Sequence, residues 1–376
     1  MVDGGCVAMA ATLKTLHLIS DDVAHCFVQT PRHPAQRDLY PAGTRFALDD
    51  ASSFINTDVS AIGALSAFIR GKNYNLSRFY SATFGNELKA YLTAEQPEII
   101  VLESLFLVPY LKTIRSVSAA KIVLRAHNIE HQLWEQQADQ ASSLKKTYLN
   151  HLARTLKREE IRGWKQVDLI WAISDEDAQQ IRDFGIKTPV TTIPVAMETG
   201  TLLPDYGNPD FFHLGSLNWE PNKVAVKRLL TDIWPQFNTT SQSRLHIAGS
   251  FSEDFKMDFV AHVQMHGFVE SAEQFMLQHG TLVAPVVSGS GVRIKLLEAL
   301  SLGIPCITTR LGAAGIQHAE EQLKIARTDE EWLEALKEFT ASEELRRNYG
   351  EKGKAYMQKY HSFTAVKAQM ITSLGN

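Results

Sequence analysis

One short stretch of the chain places flexible and charged residues side by side. Residues 288–306 read SGSGVRIKLLEALSLGIPC, in which two glycines precede Arg293, Lys295 and Glu298 on an otherwise apolar run. Glycine adopts backbone angles that other residues avoid, so a loop here can bring its N–H groups close to a ligand. A helix that begins behind such a loop directs its unpaired N–H groups and the positive end of its dipole to the same point. The spacing therefore favours the binding of a phosphorylated ligand.

The apolar run predicts a helix over about Val292–Leu302, with Gly303 as its stop signal. On that helix Lys295 and Glu298 are neighbours three positions apart, on the side of Gly291. A cation near the loop would neutralise a diphosphate, and a carboxylate one turn further would accept hydrogen bonds from ribose hydroxyls. The alternative is an ordinary surface ion pair, which stabilises a helix by about 0.2–0.5 kcal/mol. The spacing alone does not decide between these two interpretations.

The composition limits the class of protein. A chain of 376 residues with 44% hydrophobic and 21% charged residues is predicted to be globular, with two or three domains. The formal net charge of −4 argues against a nucleic-acid binder, because neutralising phosphates requires a basic face. Three widely spaced cysteines, Cys6, Cys26 and Cys306, indicate neither a disulfide framework nor a structural zinc site. No apolar run predicts a membrane span or a secretory leader, so a cytoplasmic location is expected.

Short β-rich apolar runs alternate with helical patterns through most of the chain. Strands buried on both faces of a parallel sheet have this pattern, so two doubly wound α/β domains are predicted. The predicted strands are Val23–Val28, Ile99–Leu102, Lys121–Leu124, Leu169–Ile173, Val190–Ile193, Phe211–Leu214, Leu245–Ala248, Thr281–Ala284 and Cys306–Thr308. Prolines and glycines in residues 195–210 place the domain boundary near Pro209. The predicted parts are residues 1–208, residues 209–355, and a terminal helical segment 356–376 that crosses back to the first domain.

Several segments together resemble one enzyme family. GSGVRIKLLEALSLGIPCITTRLGAAGI closely resembles the donor-site segment of the retaining glycosyltransferases of family 4. Further similar segments are VLRAHNIEHQLWEQ (123–136), FHLGSLNWEPNKVAVKRLLTDIWPQF (212–237), LHIAGS (245–250) and HGFVES (266–271). The resemblance implies the GT-B fold, with two doubly wound Rossmann-like domains facing across a cleft. It also implies that the N-terminal domain faces the acceptor and the C-terminal domain binds the nucleotide sugar.

The resemblance assigns donor-binding roles to residues in and behind the loop of Gly289 and Gly291. Glu298 matches the second Glu of the family's paired-Glu signature, which holds the ribose. The first Glu, placed at the hydroxyls of the donor sugar, falls at Ser290, beside Gly291. Serine can hydrogen-bond but brings no charge, so this chain departs from the family at the position that contacts the sugar.

A second departure concerns the cations that hold the diphosphate. Ser216 and Asn222 stand where the family carries Arg and Lys, in the turn that begins with Gly215 after the first strand of the donor domain. Arg293 and Lys295 are expected to supply those charges instead, and a guanidinium can grip phosphate with two parallel hydrogen bonds. Fixed cations stabilise a departing diphosphate without a metal ion, so the reaction is predicted to need no metal and no cofactor.

The activity implied by the resemblance is transfer of a sugar from a UDP- or GDP-linked donor to a carbohydrate or lipid-linked acceptor, in polysaccharide or glycoconjugate biosynthesis. It implies retention of the anomeric configuration by a front-face route, in which the departing phosphate helps to deprotonate the acceptor. His127 and Asn128 follow a predicted strand at the edge where ligands bind in open α/β sheets. His127 is expected to hydrogen-bond the donor sugar or position the acceptor hydroxyl.

Residues 143–165 form a predicted helix that carries an apolar stripe within a locally basic surface. The stripe is Leu149, Leu152, Leu156 and Trp164. An ordinary core helix with a solvated face is one interpretation. The other is a peripheral contact with the inner face of a membrane, as a lipid-linked acceptor would require.

The amino terminus departs from the family in another way. An Asp-Gly-Gly like the one ending at Gly5 lies, in the family, in a loop between the first strand and the first helix. Here the helix is predicted over Cys6–Leu18, and no strand precedes Gly4 and Gly5. We expect the first strand of the sheet to be missing, through a start codon assigned too late, replacement by another segment, or a loose domain. The first explanation is favoured, with both glycines near the donor or acceptor.

Other functions remain in competition with glycosyl transfer. A dehydrogenase is disfavoured because no G-x-G-x-x-G follows a strand. An epimerase of the GT-B fold that acts on a sugar nucleotide is a closer alternative. The substitution at Ser290 and the unusual amino terminus also leave open a non-catalytic subunit that binds nucleotide sugars.

Overall fold

The computed structural model shows two compact units with parallel sheets. Unit 1 runs to Val195 and also includes the chain from Lys367, and unit 2 comprises Ala196–Val366. The structure describes residues 4–31, 33–34, 37, 40–139, 141–238, 241–251, 260–289 and 291–375.

Unit 1 contains two separate parallel sheets. The larger has the order β3-β4-β5-β6, and its two central strands, β4 and β5, are almost wholly buried, as predicted for a sheet with helices on both faces. The smaller sheet pairs β1 with β2 in parallel. Among the residues that the structure describes, no strand joins the two sheets. The strands are β1 (Ala24–His25), β2 (Arg45–Phe46), β3 (Ile99–Leu102), β4 (Lys121–Ala126), β5 (Leu169–Ala172) and β6 (Val190–Thr192).

Helices of unit 1 begin at side chains that satisfy their unpaired N–H groups. Ser60, Asn73, Ser81 and Ser174 each accept a hydrogen bond from the N–H three residues later. The helices are α1 (Gly4–Ile19), α2 (Asp50–Ser53), α3 (Ala61–Ile69), α4 (Tyr74–Ser77), α5 (Ala82–Glu95), α6 (Leu111–Arg115), α7 (Glu130–Asp139), α8 (Ser143–Trp164) and α9 (Asp175–Asp183). A 3-10 helix spans Leu105–Tyr110.

The amino-terminal helix differs from its prediction at its start. Helix α1 covers the predicted segment Cys6–Leu18 but already begins at Gly4. Gly4 and Gly5 therefore form its first turn and not the predicted loop. Their contact with a ligand stays a prediction. The strand predicted over Val23–Val28 pairs over only two residues, in β1.

Unit 2 is built on one sheet of six parallel strands. Its order is β12-β11-β10-β7-β8-β9, so the chain reverses its direction of growth between β7 and β10. Ligands of open α/β sheets bind outside the carboxyl ends of the strands at such a switch point. The strands are β7 (Phe211–Leu214), β8 (Leu245–Ala248), β9 (Val263–Gly267), β10 (Thr281–Ala284), β11 (Cys306–Thr308) and β12 (Lys324–Ile325).

The core of unit 2 is rich in aromatic residues. Phe211, Trp234, Phe237, Trp332 and Phe339 are essentially inaccessible to solvent, and such large apolar side chains dominate the energy of burial. The helices are α10 (Glu220–Arg228), α11 (Trp234–Asn238), α12 (Ala272–Gln278), α13 (Ile294–Leu302), α14 (Ala319–Gln322), α15 (Asp329–Ala341) and α16 (Glu343–Tyr360). One π-helical turn over Leu229–Ile233 joins α10 to α11.

The chain segment after Val195 already belongs to unit 2. The N–H of Met197 donates to the carbonyl of His361 at 2.8 Å. The boundary predicted near Pro209 lies inside this unit.

The terminal helical segment is two helices, α16 and α17 (Phe363–Gly375). The last part of α17 belongs to unit 1, where the Trp171 indole donates to Ser373 Oγ at 2.9 Å and Lys121 Nζ donates to the Leu374 carbonyl at 2.9 Å.

Candidate functional site

The carboxyl edge of the unit 2 sheet is opened by two glycines at the ends of neighbouring strands. Gly215 follows β7 and Gly249 follows β8, and the N–H of Gly215 donates to the Ala248 carbonyl at 3.0 Å. Gly249 has φ of +140°, and a Cβ atom there would lie 1.9 Å from the Gly215 carbonyl oxygen. The two backbones therefore approach each other too closely for a side chain at position 249.

The turn after Gly215 is held by neutral hydrogen bonds. Ser216 Oγ lies 2.8 Å from Ser250 Oγ, and Asn222 Nδ2 donates to the Ser216 carbonyl at 3.0 Å. A Cβ at Gly215 would lie 2.7 Å from Asn222 Nδ2, so the amide packs directly against the glycine. The structure thus places Gly215 and Ser216 at the switch point, and no cation occupies positions 216 and 222 of this turn.

The loop after β10 lies on the other side of the switch point. Thr309 Oγ1 anchors it by donating to the Val286 carbonyl at 2.6 Å. Gly289 and Gly291 have φ of 95° and 78°, values that other residues rarely adopt. Ser290, predicted to face the donor sugar, lies outside the described residues.

The helix behind this loop begins and ends close to its predicted bounds. Helix α13 runs from Ile294 to Leu302, and Gly303 ends it in the left-handed conformation with φ of 78°. Arg293 is the residue immediately before the first turn, and its Nη2 donates to the Ser288 carbonyl at 3.3 Å.

The Arg293 guanidinium packs against a glycine of the loop. A Cβ at Gly289 would lie 3.3 Å from both of its terminal nitrogens. Burial lowers the pKa of Arg293, but a guanidinium remains charged at neutral pH. A half-buried cation, glycine N–H groups and the amino end of α13 therefore occupy one place, which suits an anionic ligand.

Lys295 and Glu298 form an ion pair with each other. Lys295 Nζ donates to Glu298 Oε2 at 2.6 Å, with 45% and 25% of the two side chains exposed. This is the arrangement that the surface-pair interpretation predicted, and such pairs stabilise by at most about 1 kcal/mol. The roles of these residues toward a donor stay predictions.

In unit 1 a histidine and a glutamate meet at the carboxyl edge. Glu103 follows β3 and His127 follows β4, and His127 Nε2 lies 2.8 Å from Glu103 Oε2. Both side chains are mostly buried, and His127 Nδ1 and Glu103 Oε1 have no hydrogen-bond partner in the described chain. Glu103 was not among the predicted site residues, although its position directly after a predicted strand was a usable signal.

The Glu103 carboxylate raises the pKa of two further basic groups against the effect of burial. Burial lowers the pKa of His25 to about 4, and burial lowers the pKa of Arg125 to about 10, while Glu103 opposes both shifts. The Arg125 guanidinium donates to the carbonyls of Ala172 and Ile193, so it joins the carboxyl ends of β5 and β6. Arg125 therefore holds the edge together, and it was not predicted.

The helix after His127 begins at a buried carboxylate. Glu160 on α8 accepts from the N–H groups of Glu130 and His131 at 2.9 and 3.1 Å, and its Oε2 lies 2.6 Å from His131 Nδ1. Burial, together with the charge of Glu160, raises the pKa of Glu130 to about 7, while a hydrogen bond with the Asn128 side chain acts in the opposite direction. A carboxyl group that titrates near neutrality thus lies two residues from Asn128, and sequence reasoning missed it.

The expectation of a metal-free reaction overlooked one Asp-x-Asp triplet, residues 175–177. In the structure it forms the first turn of α9, where the Asp177 N–H and carboxylate both bond to Ser174 Oγ. Thr192 Oγ1 donates to Asp175 Oδ1 at 2.5 Å. The triplet therefore serves the start of a helix.

Helix α8 buries the apolar stripe predicted for residues 143–165. Leu149, Leu152, Leu156 and Trp164 are buried, whereas Arg154 remains exposed. This matches a core helix with a solvated face. None of the helices described by the structure is long and apolar enough to cross a membrane.

Comparison with known proteins relates part of the sequence to a described family. Residues 208–342 match the family model described as Glycosyl transferases group 1. That segment contains the Gly215 turn, the Gly289–Gly291 loop and α13. No curated protein matches the sequence.

Solved structures match the fold over nearly the whole chain. Sucrose-phosphate synthase from Thermosynechococcus elongatus superposes with a TM-score of 0.70 at 14% identity, covering 98% of this chain and 92% of that one. Anabaena HepE in complex with UDP gives 0.70 at 11% identity, with 100% and 97% covered. The lipopolysaccharide outer core galactosyltransferase WaaB gives 0.62 at 15%, with 99% and 96% covered. These likenesses confirm the predicted two-domain α/β fold of GT-B glycosyltransferases.

Proposed function

We propose that the chain transfers a sugar from a nucleoside-diphosphate sugar to an acceptor hydroxyl. The observation that carries the proposal is the match of residues 208–342 to the Glycosyl transferases group 1 family, because this segment contains the glycine turns and Arg293 at the switch point of unit 2. A nucleotide diphosphate has the charge and length that a helix end and a nearby guanidinium accept.

Arg293 is the group we assign to the departing diphosphate. Bond cleavage leaves two negative phosphates, and a cation held in place before the reaction stabilises them without reorganisation. Its packing against Gly289 and its bond to the Ser288 carbonyl provide that position. Retention of configuration, with the phosphate accepting the acceptor proton, remains part of this proposal.

Glu298 and Lys295 have lesser roles in the proposal. Glu298 accepts the ribose hydroxyls with its second oxygen, since Lys295 already binds Oε2. Lys295 then adds positive charge near the diphosphate. UDP is the first nucleotide to test, because the HepE fold has been solved with UDP and with UDP-glucose.

Unit 1 contributes an acceptor-binding histidine in this proposal. The Glu103 carboxylate lies 2.8 Å from His127 Nε2, which favours the tautomer with a proton on that nitrogen. His127 Nδ1 then carries a lone pair for an acceptor hydroxyl. In this proposal the reaction uses no metal ion and no cofactor at the site residues of either unit.

The test is release of nucleoside diphosphate. The full chain is incubated with UDP-glucose, UDP-N-acetylglucosamine or GDP-mannose and a mixture of acceptor sugars, with and without EDTA. We expect diphosphate release that depends on the acceptor and survives EDTA. A new sugar nucleotide formed without acceptor would instead identify an epimerase. A donor that raises the melting temperature but yields no product would identify a binding subunit.

A lipid-linked acceptor is proposed because helix α3 exposes an unusual apolar surface. Ile62 and Ile69 are 83% and 74% exposed, and Leu65 and Phe68 are also exposed. The Phe68 ring lies 4.5 Å from the His151 ring of the basic helix α8. Such a combination suits the interface of an anionic membrane. We therefore place the chain in the cytoplasm at the inner face of a membrane, in polysaccharide or glycoconjugate synthesis.

Co-sedimentation with vesicles tests that location. Binding to vesicles with anionic lipid should exceed binding to neutral vesicles and weaken in salt. Replacing Ile62 and Ile69 by Ser should abolish it, while Ile371→Ser, at an exposed isoleucine of α17, should not. Equal binding of all three proteins would contradict the membrane contact and leave the donor assay unaffected.

A further inference from the structure

We propose that His246, His266 and His279 of unit 2 bind a divalent transition-metal ion, with Zn²⁺ as the ion that suits them best. One ring nitrogen from each side chain lies within 4.8 Å of the others. His246 Nδ1 and His266 Nε2 are 2.9 Å apart, and the ring centroids of His246 and His279 are 4.3 Å apart. Three imidazoles converging on one point form a donor set typical of zinc.

The outer ring nitrogens already make the bonds that metal-binding histidines make. His246 Nε2 lies 3.3 Å from Asp210 Oδ2, and His279 Nδ1 lies 2.7 Å from the Phe275 carbonyl oxygen. Both oxygens can only accept, so both nitrogens carry the proton and donate. The lone pairs are therefore on His246 Nδ1 and His279 Nε2. Ligating histidines are usually oriented by a carboxylate or a backbone carbonyl in this way.

The third histidine needs only a change of tautomer. Without a metal, His266 Nε2 donates to His246 Nδ1 across their 2.9 Å separation. Two nitrogens on one tetrahedral zinc lie about 3.3 Å apart, given Zn–N distances of about 2.0–2.1 Å. A proton moved to His266 Nδ1 and a shift of a few tenths of an ångström would therefore bring this pair to the zinc spacing. The ligand nitrogen of His279 lies within 4.8 Å of the other two, so it would approach them by at most about 1.5 Å.

The fold builds this cluster from three elements. His246 lies in β8, His266 lies in β9, and His279 is the residue that ends α12. The register of β8 and β9 pairs Ile247 with Met265 but Ala248 with Gly267, so His266 is an extra residue without a partner. Irregularities of this kind redirect a side chain.

An aromatic residue fixes the rings of the cluster. The Phe275 ring stacks on the His279 ring at 4.2 Å and meets the His266 ring edge-on at 5.1 Å. The ordinary alternative is a histidine stack that serves packing alone.

The cluster is separate from the proposed donor site. His246 is the second residue of β8, toward the amino end of the strand, whereas Gly249 marks the carboxyl end. An ion here would join β8, β9 and α12, and so act on the stability of unit 2 without taking part in the reaction. Its ligands leave a fourth position of the tetrahedron for water.

Direct metal binding tests the proposal on the full chain, purified without a histidine tag. We expect one equivalent of Zn²⁺ to bind and to raise the melting temperature, and Co²⁺ to give the visible absorption of a tetrahedral site. Affinity should fall as pH is lowered, because protons compete for the imidazoles. Each of His266→Gln and His279→Gln should weaken Zn²⁺ binding by 10²-fold or more, and Asp210→Asn by about 10–100-fold.

His318→Asn is the matched control. His318 is exposed and lies outside the cluster, and Asn tolerates its left-handed backbone with φ of 49°. This variant should bind Zn²⁺ as the parent does. Circular dichroism confirms that each variant is folded. Absence of Zn²⁺ binding by the parent would overturn the proposal. Binding by the His266 and His279 variants that is as tight as the parent's would overturn it too.

Discussion

Unit 2 presents glycine turns and a helix end at the carboxyl edge of its sheet, whereas unit 1 presents ionisable side chains at its own. At the first edge, backbone amides and one half-buried guanidinium, Arg293, offer charge that does not change with pH near neutrality. At the second edge, His127 and Glu103 pair, and the pKa of Glu130 is raised to about 7. The comparison predicts that unit 2 meets the charge of a ligand and that the dependence of stability on pH arises in unit 1.

Removing the cation of unit 2 should have the largest effect. Arg293→Ala should slow turnover by about 10²–10³-fold, because it removes the charge that stabilises the departing diphosphate. The turnover of Arg293→Lys should lie between that of the parent and that of Arg293→Ala, since an ammonium cannot bind phosphate with two parallel bonds. Diphosphate release measures the effect. Arg244→Ala, at the amino end of β8, is the control, and equal rates for both alanine variants would refute the role of Arg293.

The close approach of Gly249 to the Gly215 carbonyl predicts that a side chain at position 249 lowers the free energy of unfolding. Gly249→Ala should cost about 3 kcal/mol or more, because its Cβ would lie 1.9 Å from the Gly215 carbonyl oxygen. Gly267→Ala, at the end of the neighbouring strand, meets nothing within 4 Å, so it should cost only about 1 kcal/mol from its φ of 71°. Urea unfolding of the two variants gives the comparison. Similar losses would show that the edge is not as tight as the structure indicates.

Replacing Glu130 should change how the free energy of unfolding depends on pH. Its folded pKa, about 7, lies above the ordinary value of 4.5, so the folded state binds the proton more tightly. Glu130 therefore supports folding below pH 4.5 and loses that contribution as pH rises to about 7. Glu130→Gln should be more stable than the parent at pH 8, by on the order of 3 kcal/mol, and much closer to it at pH 4.

Unfolding measured at both pH values checks this, with Glu87→Gln on the exposed face of α5 as the control. A difference between Glu130→Gln and the parent that stays constant with pH would mean that Glu130 titrates normally.

The ion pair on α13 should give the smallest effects. Lys295→Ala should change the free energy of unfolding by less than about 1 kcal/mol, because Lys295 is 45% exposed. Glu298→Ala should weaken UDP binding about tenfold, the loss expected for a charged hydrogen-bond acceptor. Isothermal titration with UDP measures the second effect. If Glu298→Ala binds UDP as the parent does, the pair is a surface ion pair alone.

Much of the fold followed from local patterns in the sequence. Four strands of unit 2, from Phe211–Leu214 to Cys306–Thr308, were predicted to the residue because each is a short, wholly buried and largely apolar run. Strand β9 (Val263–Gly267) was not predicted as a strand, since Gln264 and His266 interrupt the apolar pattern and none of its residues is fully buried at the sheet edge. Strands β2 and β12 have only two residues each, too few for a periodic signal.

The candidate sites, too, were predicted only in part. The Gly289–Gly291 loop, the helix behind it and the stop at Gly303 were all predicted, because backbone conformation depends on neighbouring residues. Spacing left two interpretations of Lys295 and Glu298 open, and the structure shows the ion pair while their roles toward a donor stay predictions.

By itself the sequence determined which segments become buried strands, where the glycine loop lies and which helix follows it, since these depend on short-range periodicity and backbone freedom. Only the tertiary structure decided the partners and the proton affinities of the ionisable groups. Glu103 meets His127 across two strands, and His279 meets a histidine 33 positions earlier, His246. Such contacts depend on strand order and on the loss of water around each group, and neither is encoded in the spacing of neighbouring residues.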